Sequence, residues 1–148
     1  MIEWGAIQIN KHYQDIITAL PAQFNTLLDV CCGDGKLISL ISEKYQASFT
    51  GIDEDREKVA VARERNIPNA EFFVCKPTCL YFKDGSLDVV ISPLPLFTYN
   101  EILRVLSPHG GVFITPVNHN TARGKVKELK KLGFSDVFLK KELLIAIK

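Results

Sequence analysis

The sequence predicts an α/β fold, a doubly wound, mainly parallel seven-stranded sheet that closes with an antiparallel C-terminal hairpin. Short apolar segments alternate five times with amphipathic helical segments, which is typical of right-handed crossovers and of a sheet covered on both faces. Two final strand-like segments have so short a link that they can form only an antiparallel hairpin. A length of 148 residues suits one core, so we expect residues 1–148 to form one domain.

The composition is that of an ordinary globular protein, with 47% hydrophobic and 24% charged residues. No apolar run approaches the roughly 20 residues of a membrane helix, and the N-terminus does not resemble a signal peptide, so we expect no membrane association. The four cysteines lack the spacing of a zinc site, and no metal is expected. They are Cys31, Cys32, Cys75 and Cys79. Buried, reduced thiols indicate a cytoplasmic location.

Charge is unevenly distributed along the chain, although the net charge is only +1. Residues 1–118 contain 10 Lys and Arg against 14 Asp and Glu, whereas residues 119–148 contain 8 against 3. Such a basic segment suits nucleic acid or another acidic partner, but it is equally typical of a solvated face. The sequence leaves both interpretations open.

The first half contains three predicted helices and three predicted strands. An N-terminal helix within residues 1–21 ends at Pro21, which cannot continue it. The helices are predicted over Ile7–Leu20, Lys36–Tyr45 and residues 54–66, and the strands over Phe24–Cys31, Ala47–Ile52 and Ala70–Cys75. Each helix has apolar residues at helical spacing, which predicts packing on the sheet.

The second half begins with Leu87–Ser92, an apolar run that suits a strand buried on both faces. Pro93 and Pro95 then predict an extended loop. The remaining predicted elements are a helix over Tyr99–Leu106, a strand over Gly111–Pro116, a helix over Thr121–Leu132 that ends at Gly133, and hairpin strands over Phe134–Lys140 and Leu143–Ile147 within residues 134–148.

The stretch LLDVCCGDGKL at residues 27–37 predicts a strand, a glycine turn and a helix start that together hold a ligand. A phosphate-binding P-loop is excluded, because Val30 stands five residues before Gly35 and Leu37 follows Lys36. A dinucleotide fingerprint would need a third glycine where Ile38 stands. A nicotinamide-dependent oxidoreductase is therefore the less favoured alternative.

Residues 29–35, DVCCGDG, resemble motif I of the class I S-adenosylmethionine-dependent methyltransferases, [DE]-x-G-x-G-x-G. The segments GIDEDREKVAVAR, LYFKDGSLDVVIS and EILRVLSPHGGVFITP resemble later segments of that family in the same order. The final hairpin resembles the family's reversed last strand. The resemblance is to minimal cores of the methyltransferase-domain 11 and 25 type, and it implies S-adenosyl-L-methionine as the cofactor.

The resemblance also implies roles for individual residues. Asp53 would accept hydrogen bonds from both ribose hydroxyls, and it could also cap a helix that begins at Glu54. Asp29 would hold the methionine amino group, and Ile52 or Glu54 would flank the adenine. The backbone under the cofactor would be that of Cys32, Gly33, Asp34 and Gly35.

The chain departs from the family pattern at two positions. Cys31 replaces the first glycine, which is tolerable if the backbone angle there is ordinary for a non-glycine residue. Lys76 stands where many members have an acid that binds the adenine amino group. The adenine would then contact the backbone of Lys76 and Pro77 or be bound weakly.

The loop that begins at Ser92 would border the transferred methyl group. Methyltransferases of exocyclic amines often have [DNS]-P-P-[YFW] here; Ser92 and Pro93 fit this pattern, but Leu94 and Pro95 break it. We expect these loop residues to contact the acceptor or to form a generic apolar loop.

His119 is the candidate general base, because it follows the fifth strand and imidazole titrates near neutrality. Asn118 and Asn120 could orient it or the acceptor. The alternative is a surface histidine beside a helix N-cap at Thr121. Tyr13 would cover the cofactor from the N-terminal helix or pack in the core.

The sequence therefore predicts a methyltransferase that acts on a small molecule or RNA. Nearly all residues are used for the core, so a larger acceptor would need an open cleft or a protein partner subunit. A non-catalytic cofactor-binding or scaffold subunit is the alternative from a different functional class.

Overall fold

The computed structural model describes residues 12–76, 80–92 and 99–148 of the chain. The helices are α1 Tyr13–Ala19, α2 Lys36–Ser42, α3 Arg56–Glu64, α4 Tyr99–Val105 and α5 His119–Leu132. None of these helices is long and apolar enough to cross a bilayer. Several predictions fall outside the described residues: the start of the N-terminal helix, Cys79, Pro77, and the loop residues Pro93, Leu94 and Pro95.

Seven strands form one sheet with the order β3-β2-β1-β4-β5-β7-β6. They are β1 Thr26–Val30, β2 Ser48–Asp53, β3 Ala70–Val74, β4 Val89–Ile91, β5 Val112–Pro116, β6 Asp136–Lys140 and β7 Leu143–Ile147. The first five strands are parallel, and β7 pairs antiparallel with both β5 and β6. The predicted fold class is confirmed, including the antiparallel hairpin.

Two apolar layers cover the sheet, because successive side chains of a strand point to opposite faces. Leu27 of β1 packs on one face with residues of α1, α2 and α3, and its neighbour Leu28 packs on the other face with residues of α4 and α5. Val89 and Val90 of β4 divide between the faces in the same way. The central strands therefore have their apolar residues buried on both sides.

Two helix starts differ from the prediction by two residues. Asp55, rather than Asp53, caps α3, because its carboxylate accepts hydrogen bonds from the Glu57 and Lys58 N–H groups. Asn118, rather than Thr121, caps α5, since its side-chain oxygen accepts the Thr121 N–H at 3.1 Å. In both cases the residue one position before the first helical residue satisfies N–H groups that have no partner within the helix.

The strand predicted over residues 87–92 is shorter in the structure, where β4 contains only Val89–Ile91. Asp88 is not part of the strand. Its side-chain Oδ2 atom accepts hydrogen bonds from the Asn25 N–H at 2.7 Å and the Thr26 N–H at 3.2 Å. Leu87 forms only an isolated bridge with Leu106. At the start of this strand, side-chain bonds of Asp88 and backbone bonds between Leu87 and the end of α4 thus take the place of the regular ladder.

Arg104 of α4 holds the segment that crosses from β3 to β4. Its guanidinium group donates to the carbonyl oxygens of Leu80 at 3.0 Å and Phe82 at 2.8 Å, and it pairs with the carboxylates of Glu101 and Asp84. The planar group with several donors suits such a convergence of acceptors. One side chain therefore ties residues 80–84 to the body of the fold.

The sheet tolerates no side chain at Gly51 of β2, and this gives a test of the packing. A Cβ atom there would lie 2.6 Å from Phe72 Cδ1 and 2.9 Å from Cys32 Cβ. We expect Gly51→Ala to lower the free energy of unfolding in urea by about 1–3 kcal/mol, because the core must move to admit it. Gly124→Ala is the control: a Cβ at Gly124 meets nothing within 4 Å, and alanine in α5 should raise stability by about 0.5–1 kcal/mol. Equal effects of both variants would contradict the packing described.

Candidate functional site

The candidate site lies at the edge where the parallel strands end, since the carboxyl ends of such strands meet at one edge of the sheet. The residues predicted for the site follow five different strands and reach this common edge. They are Cys31, Cys32, Gly33, Asp34 and Gly35 after β1, Asp53 and Glu54 at the end of β2, Lys76 after β3, Ser92 after β4, and Asn118 and His119 after β5. The topology thus brings together groups that are far apart in sequence.

The turn after β1 alternates in and out of the left-handed conformation. Cys31 has φ of 59°, Gly33 of 56° and Gly35 of 82°. The Cys32 N–H donates to the Ile52 carbonyl oxygen at 2.9 Å, and the Gly35 N–H donates to the Cys32 carbonyl oxygen at 3.0 Å. These bonds join the turn to β2 and fold it tightly onto the start of α2.

Cys31 does not meet the condition under which replacement of the family's glycine is free of strain. Its φ of 59° lies in the region that favours glycine. A non-glycine residue there costs roughly 1–2 kcal/mol. Its thiol packs against the apolar layer of α4 and α5, and burial, followed by the nearby carboxylates, raises the pKa of Cys31 to about 12. The thiol is therefore protonated and unreactive at neutral pH.

The two glycines of the turn have different surroundings. A Cβ atom at Gly35 would approach Ala62 Cβ to 3.0 Å, so glycine is needed there for close packing of the turn on α3. Among the described residues, a Cβ atom at Gly33 would meet nothing within 4 Å. The space next to Gly33 is therefore open to a ligand that approaches the backbone closely.

Asp53 connects the turn to the end of β2 and the start of α3. It is 2% exposed; its Oδ2 accepts the Gly33 N–H at 2.8 Å, and its Oδ1 accepts the Asp55 N–H at 2.9 Å. The Asp53 carbonyl oxygen also accepts the Cys75 N–H at 2.9 Å, which brings the end of β3 to the same point. Each carboxylate oxygen has a further lone pair that can accept another hydrogen bond.

Asp29 of β1 is the unusual group of the site. It is 1% exposed, and its Oδ1 has no hydrogen-bond partner among the described residues. Burial, followed by repulsion from the Asp53 carboxylate, raises the pKa of Asp29 to about 8. A buried acceptor without a partner is costly, and a cationic donor placed against it would remove that cost.

Tyr13 of α1 lies near the turn of residues 31–35, on the face of the sheet that α1, α2 and α3 cover. Its ring is half-buried, and its pKa is raised by burial and then by the carboxylates of Asp29 and Asp34, an effect that Arg65 opposes. Arg65 itself donates from Nε to the Asp34 carbonyl oxygen at 2.6 Å and pairs with the Asp34 carboxylate at 3.3 Å. Arg65 thus fixes the exposed side of the turn. No sequence motif indicated this contact, which joins residues 31 positions apart.

Two of the residues predicted on the adenine side are exposed, unlike the buried Asp29 and Asp53. Glu54 and Lys76 are both exposed, and their side chains lie beyond the ends of β2 and β3. Pro77 falls outside the described residues. The structure therefore brings Glu54 and Lys76 to the correct edge without assigning either side chain a contact.

The residues predicted on the acceptor side have different environments. Ser92 is buried, and its N–H donates to the Ile114 carbonyl oxygen at 3.1 Å, which ties the end of β4 to β5. The Asn118 side-chain oxygen is used as the cap of α5, where it accepts both the N–H and the hydroxyl group of Thr121. His119 is exposed and is the first residue of α5, not a loop residue before it.

These groups fit S-adenosyl-L-methionine on the evidence of the site itself. The unpaired oxygen of Asp29 suits an ammonium group, and the open space at Gly33 admits a ligand against the backbone. Asp53 keeps free acceptor capacity beside that space. The described part of the chain contains no cluster of His, Cys, Asp and Glu that could hold a metal ion.

Comparison with known families and sequences agrees with this arrangement. A family model described as "Methyltransferase domain" matches residues 27–110. Phosphoethanolamine N-methyltransferase 1 of Arabidopsis thaliana is 27% identical over 124 residues, which cover 77% of this chain and 25% of the plant protein. The chain spans about a quarter of the length of the curated relatives it matches.

Comparison with solved structures supports the fold. A chain from the complex between the Haloferax volcanii Trm112 methyltransferase activator and a methyltransferase has a TM-score of 0.77 at 16% identity, covering 98% of this chain and 94% of that chain. A SAM-dependent methyltransferase from Aquifex aeolicus has a TM-score of 0.67 at 15% identity, covering 91% and 87%. The resemblance inferred from the motifs is confirmed, and the fold is that of the class I methyltransferases.

The raised pKa of Asp29 predicts how stability depends on pH. Its folded-state pKa of about 8 exceeds its ordinary value of 3.8, so the folded chain binds the proton more tightly, and stability is lost as pH rises between these values. We expect the free energy of unfolding of Asp29→Asn to exceed that of the wild type increasingly from pH 5 to pH 8, by at most about 1.4 kcal/mol per pH unit.

Urea unfolding at several pH values, without ligand, measures this difference. Glu43→Gln is the matched control, because it replaces a carboxylate by an amide in the same way at an exposed position. A difference for Asp29→Asn that changes with pH no more than the difference for Glu43→Gln would show that Asp29 is not buried as an unpaired acid.

Proposed function

The chain belongs to the methyltransferase-domain family, and from this premise we propose that it transfers a methyl group from S-adenosyl-L-methionine to a small-molecule or RNA acceptor. The observation that best supports this proposal is the buried Asp29 oxygen, which has no hydrogen-bond partner in the described part of the chain and lies beside the open glycine turn. An ammonium group is the cationic donor that this oxygen requires, and the methionine half of the cofactor has one.

The proposed cofactor site uses side chains and backbone at the ends of four strands, β1 to β4. When bound, S-adenosyl-L-methionine supplies a methyl group on a positively charged sulfur. Asp53 would accept from the ribose hydroxyls with the lone pairs that Gly33 and Asp55 leave free. Asp29 would accept from the amino group. The turn of residues 31–35 would lie under the cofactor, with Glu54, Lys76 and Pro77 on the adenine side and Ser92 near the methyl group.

The acceptor would enter from the side of β4 and β5. Tyr13, Pro93, Leu94, Pro95 and Asn118 are the residues we propose to border it, and Asn118 would do so with its amide nitrogen because its oxygen caps α5. His119 is the proposed base for acceptors that must lose a proton. Alignment of nucleophile and methyl group supplies most of the catalysis in such transfers, so His119 is needed only for some acceptors.

A protein partner is part of the proposal. The Haloferax volcanii neighbour, whose fold covers nearly the whole of this chain, was solved with a methyltransferase activator. We propose that a partner subunit supplies contacts to the acceptor in addition to those of the residues named above. The methyltransferase reading is favoured over a non-catalytic scaffold, because the site retains its two buried carboxylates.

Calorimetric titration with S-adenosylhomocysteine tests the cofactor assignment. We expect the wild type to bind it, and Asp53→Ala to weaken binding roughly 100-fold, because a hydrogen bond to a charged group contributes about 1.5–3 kcal/mol. Asp55→Ala is the control, since it removes only the cap of α3. It should cost about 1 kcal/mol of stability and leave the affinity within about twofold.

The same titration separates the alternatives. Binding of NADH in place of S-adenosylhomocysteine would favour an oxidoreductase, and equal affinity of Asp53→Ala and wild type would exclude the ribose assignment. Transfer of a labelled methyl group to RNA or to small amines then tests activity. Phosphoethanolamine belongs in the amine set because the plant relatives are named for it.

A further inference from the structure

A line of basic residues follows one face of α5. Helical residues advance by about 100° each, so His119, Arg123, Lys127 and Lys130 lie within an arc of roughly 80°. All four side chains are exposed, and we call these residues the basic stripe. Glu128, the one acid of α5, lies about 100° around the helix from Lys127. The stripe therefore presents positive charge without an interleaved acid.

The cations of the stripe are not neutralised by any of the described residues. Within residues 12–76, 80–92 and 99–148, the side chains of Arg123, Lys127 and Lys130 make no ion pair or hydrogen bond. Several other cations do have acidic partners. Arg65 pairs with Asp34 at 3.3 Å, Arg104 with Glu101 at 2.6 Å, and Lys141 with Asp15 at 2.9 Å.

The arrangement destabilises α5 itself. Arg123 and Lys127 are four residues apart, and Lys127 and Lys130 are three apart, so like charges are neighbours along the helix face. Like-charge pairs at these spacings are unfavourable in helices. A bound polyanion would remove this repulsion, whereas nothing in the described residues does so.

The stripe begins at the edge of the sheet that contains the candidate site. His119 directly follows β5 and its cap residue, at the same edge as the turn of residues 31–35. The β6–β7 turn reaches this edge too, because the Val117 N–H donates to the Glu142 carbonyl oxygen at 2.9 Å. Lys140, also exposed, lies at that turn and adds a cation beside the start of the stripe.

We propose that the basic stripe of α5 binds the phosphate backbone of single-stranded RNA and leads the acceptor nucleotide to the strand ends; this rests on the proposed methyltransferase function. The stripe extends over roughly 16 Å, at 1.5 Å per residue, which suits several successive phosphates. A small phosphate ester would contact only one or two of these cations. A single strand also leaves its bases unstacked enough to enter a cleft.

The experiment measures binding of a fluorescently labelled 12-nucleotide single-stranded RNA by anisotropy between 50 and 200 mM salt. We expect log K to fall with log salt with a slope of about −2 to −3, because each phosphate contact contributes about −0.7 for a single strand. The double variant Lys127→Glu/Lys130→Glu should weaken binding at least tenfold and make the slope shallower by about 1.4.

Lys44→Glu/Lys83→Glu is the matched control. Both residues are exposed and outside α5, and the variant changes the net charge by the same amount. It should retain most of the RNA affinity.

Lys127→Glu alone should also raise Tm by about 2 °C, because it converts repulsion with Arg123 and Lys131 into attraction. An unchanged or lower Tm of Lys127→Glu would contradict the observation that Lys127 has no acidic partner among the described residues.

Titration with S-adenosylhomocysteine on the same preparations separates this proposal from the proposed function. RNA binding lost in the stripe variant, with cofactor affinity unchanged, supports the proposal. Cofactor binding without RNA binding overturns it and leaves the methyltransferase assignment intact. If the stripe variant and the control variant lose RNA affinity equally, or if the wild type binds heparin as tightly as RNA, binding depends only on overall charge, and the proposal is overturned. Phosphoethanolamine that displaces the RNA from the stripe would instead assign the surface to small phosphate esters.

Discussion

The hydrogen bond from the Gly33 N–H to Asp53 Oδ2, at 2.8 Å, is the contact on which the site depends. It holds the turn after β1 against the end of β2, while the other oxygen of Asp53 holds the residue that caps α3. One buried carboxylate therefore sets the position of a turn, a strand end and a helix start. These bonds leave lone pairs of both oxygens available, so the structural role of Asp53 does not compete with a role in ligand binding.

Two features of the site are energetically unfavourable, and a cationic ligand can relieve the first of them. Asp29 and Asp53 are both buried near one strand end, and the repulsion between them contributes to the raised pKa of Asp29. Cys31 adds backbone strain, since its φ of 59° is unfavourable for a residue with a side chain. A cation that binds beside Asp29 stabilises only the folded chain, and it therefore shifts the folding equilibrium as well as occupying the site.

Most of the fold followed from the sequence, because alternation of apolar strands and amphipathic helices leaves few topologies open. The positions of the glycine turn after β1 and of Asp53 at the end of β2 were also predicted, since both depend on residue type and short-range spacing. The contact of Arg65 with Asp34 was not, because no local pattern relates a side chain at the end of α3 to a carbonyl group 31 residues earlier. The helix starts at Arg56 and His119 were misplaced because adjacent polar residues could each have served as the cap.

Buried acidic groups and exposed basic groups lie in different parts of the molecule. Near the turn of residues 31–35, Arg65 is paired with Asp34, and the Asp53 carboxylate and the Asp29 carboxyl group, whose pKa burial raises to about 8, are both buried. On α5, Arg123, Lys127 and Lys130 are exposed and unpaired within the described residues. Methyl transfer depends more on alignment than on acid–base chemistry, so discrimination between acceptors must come from whatever positions the nucleophile. The open space beside the turn of residues 31–35 is the proposed place of the cofactor, so the start of α5, where a base candidate and the stripe meet, is where we propose that this discrimination occurs.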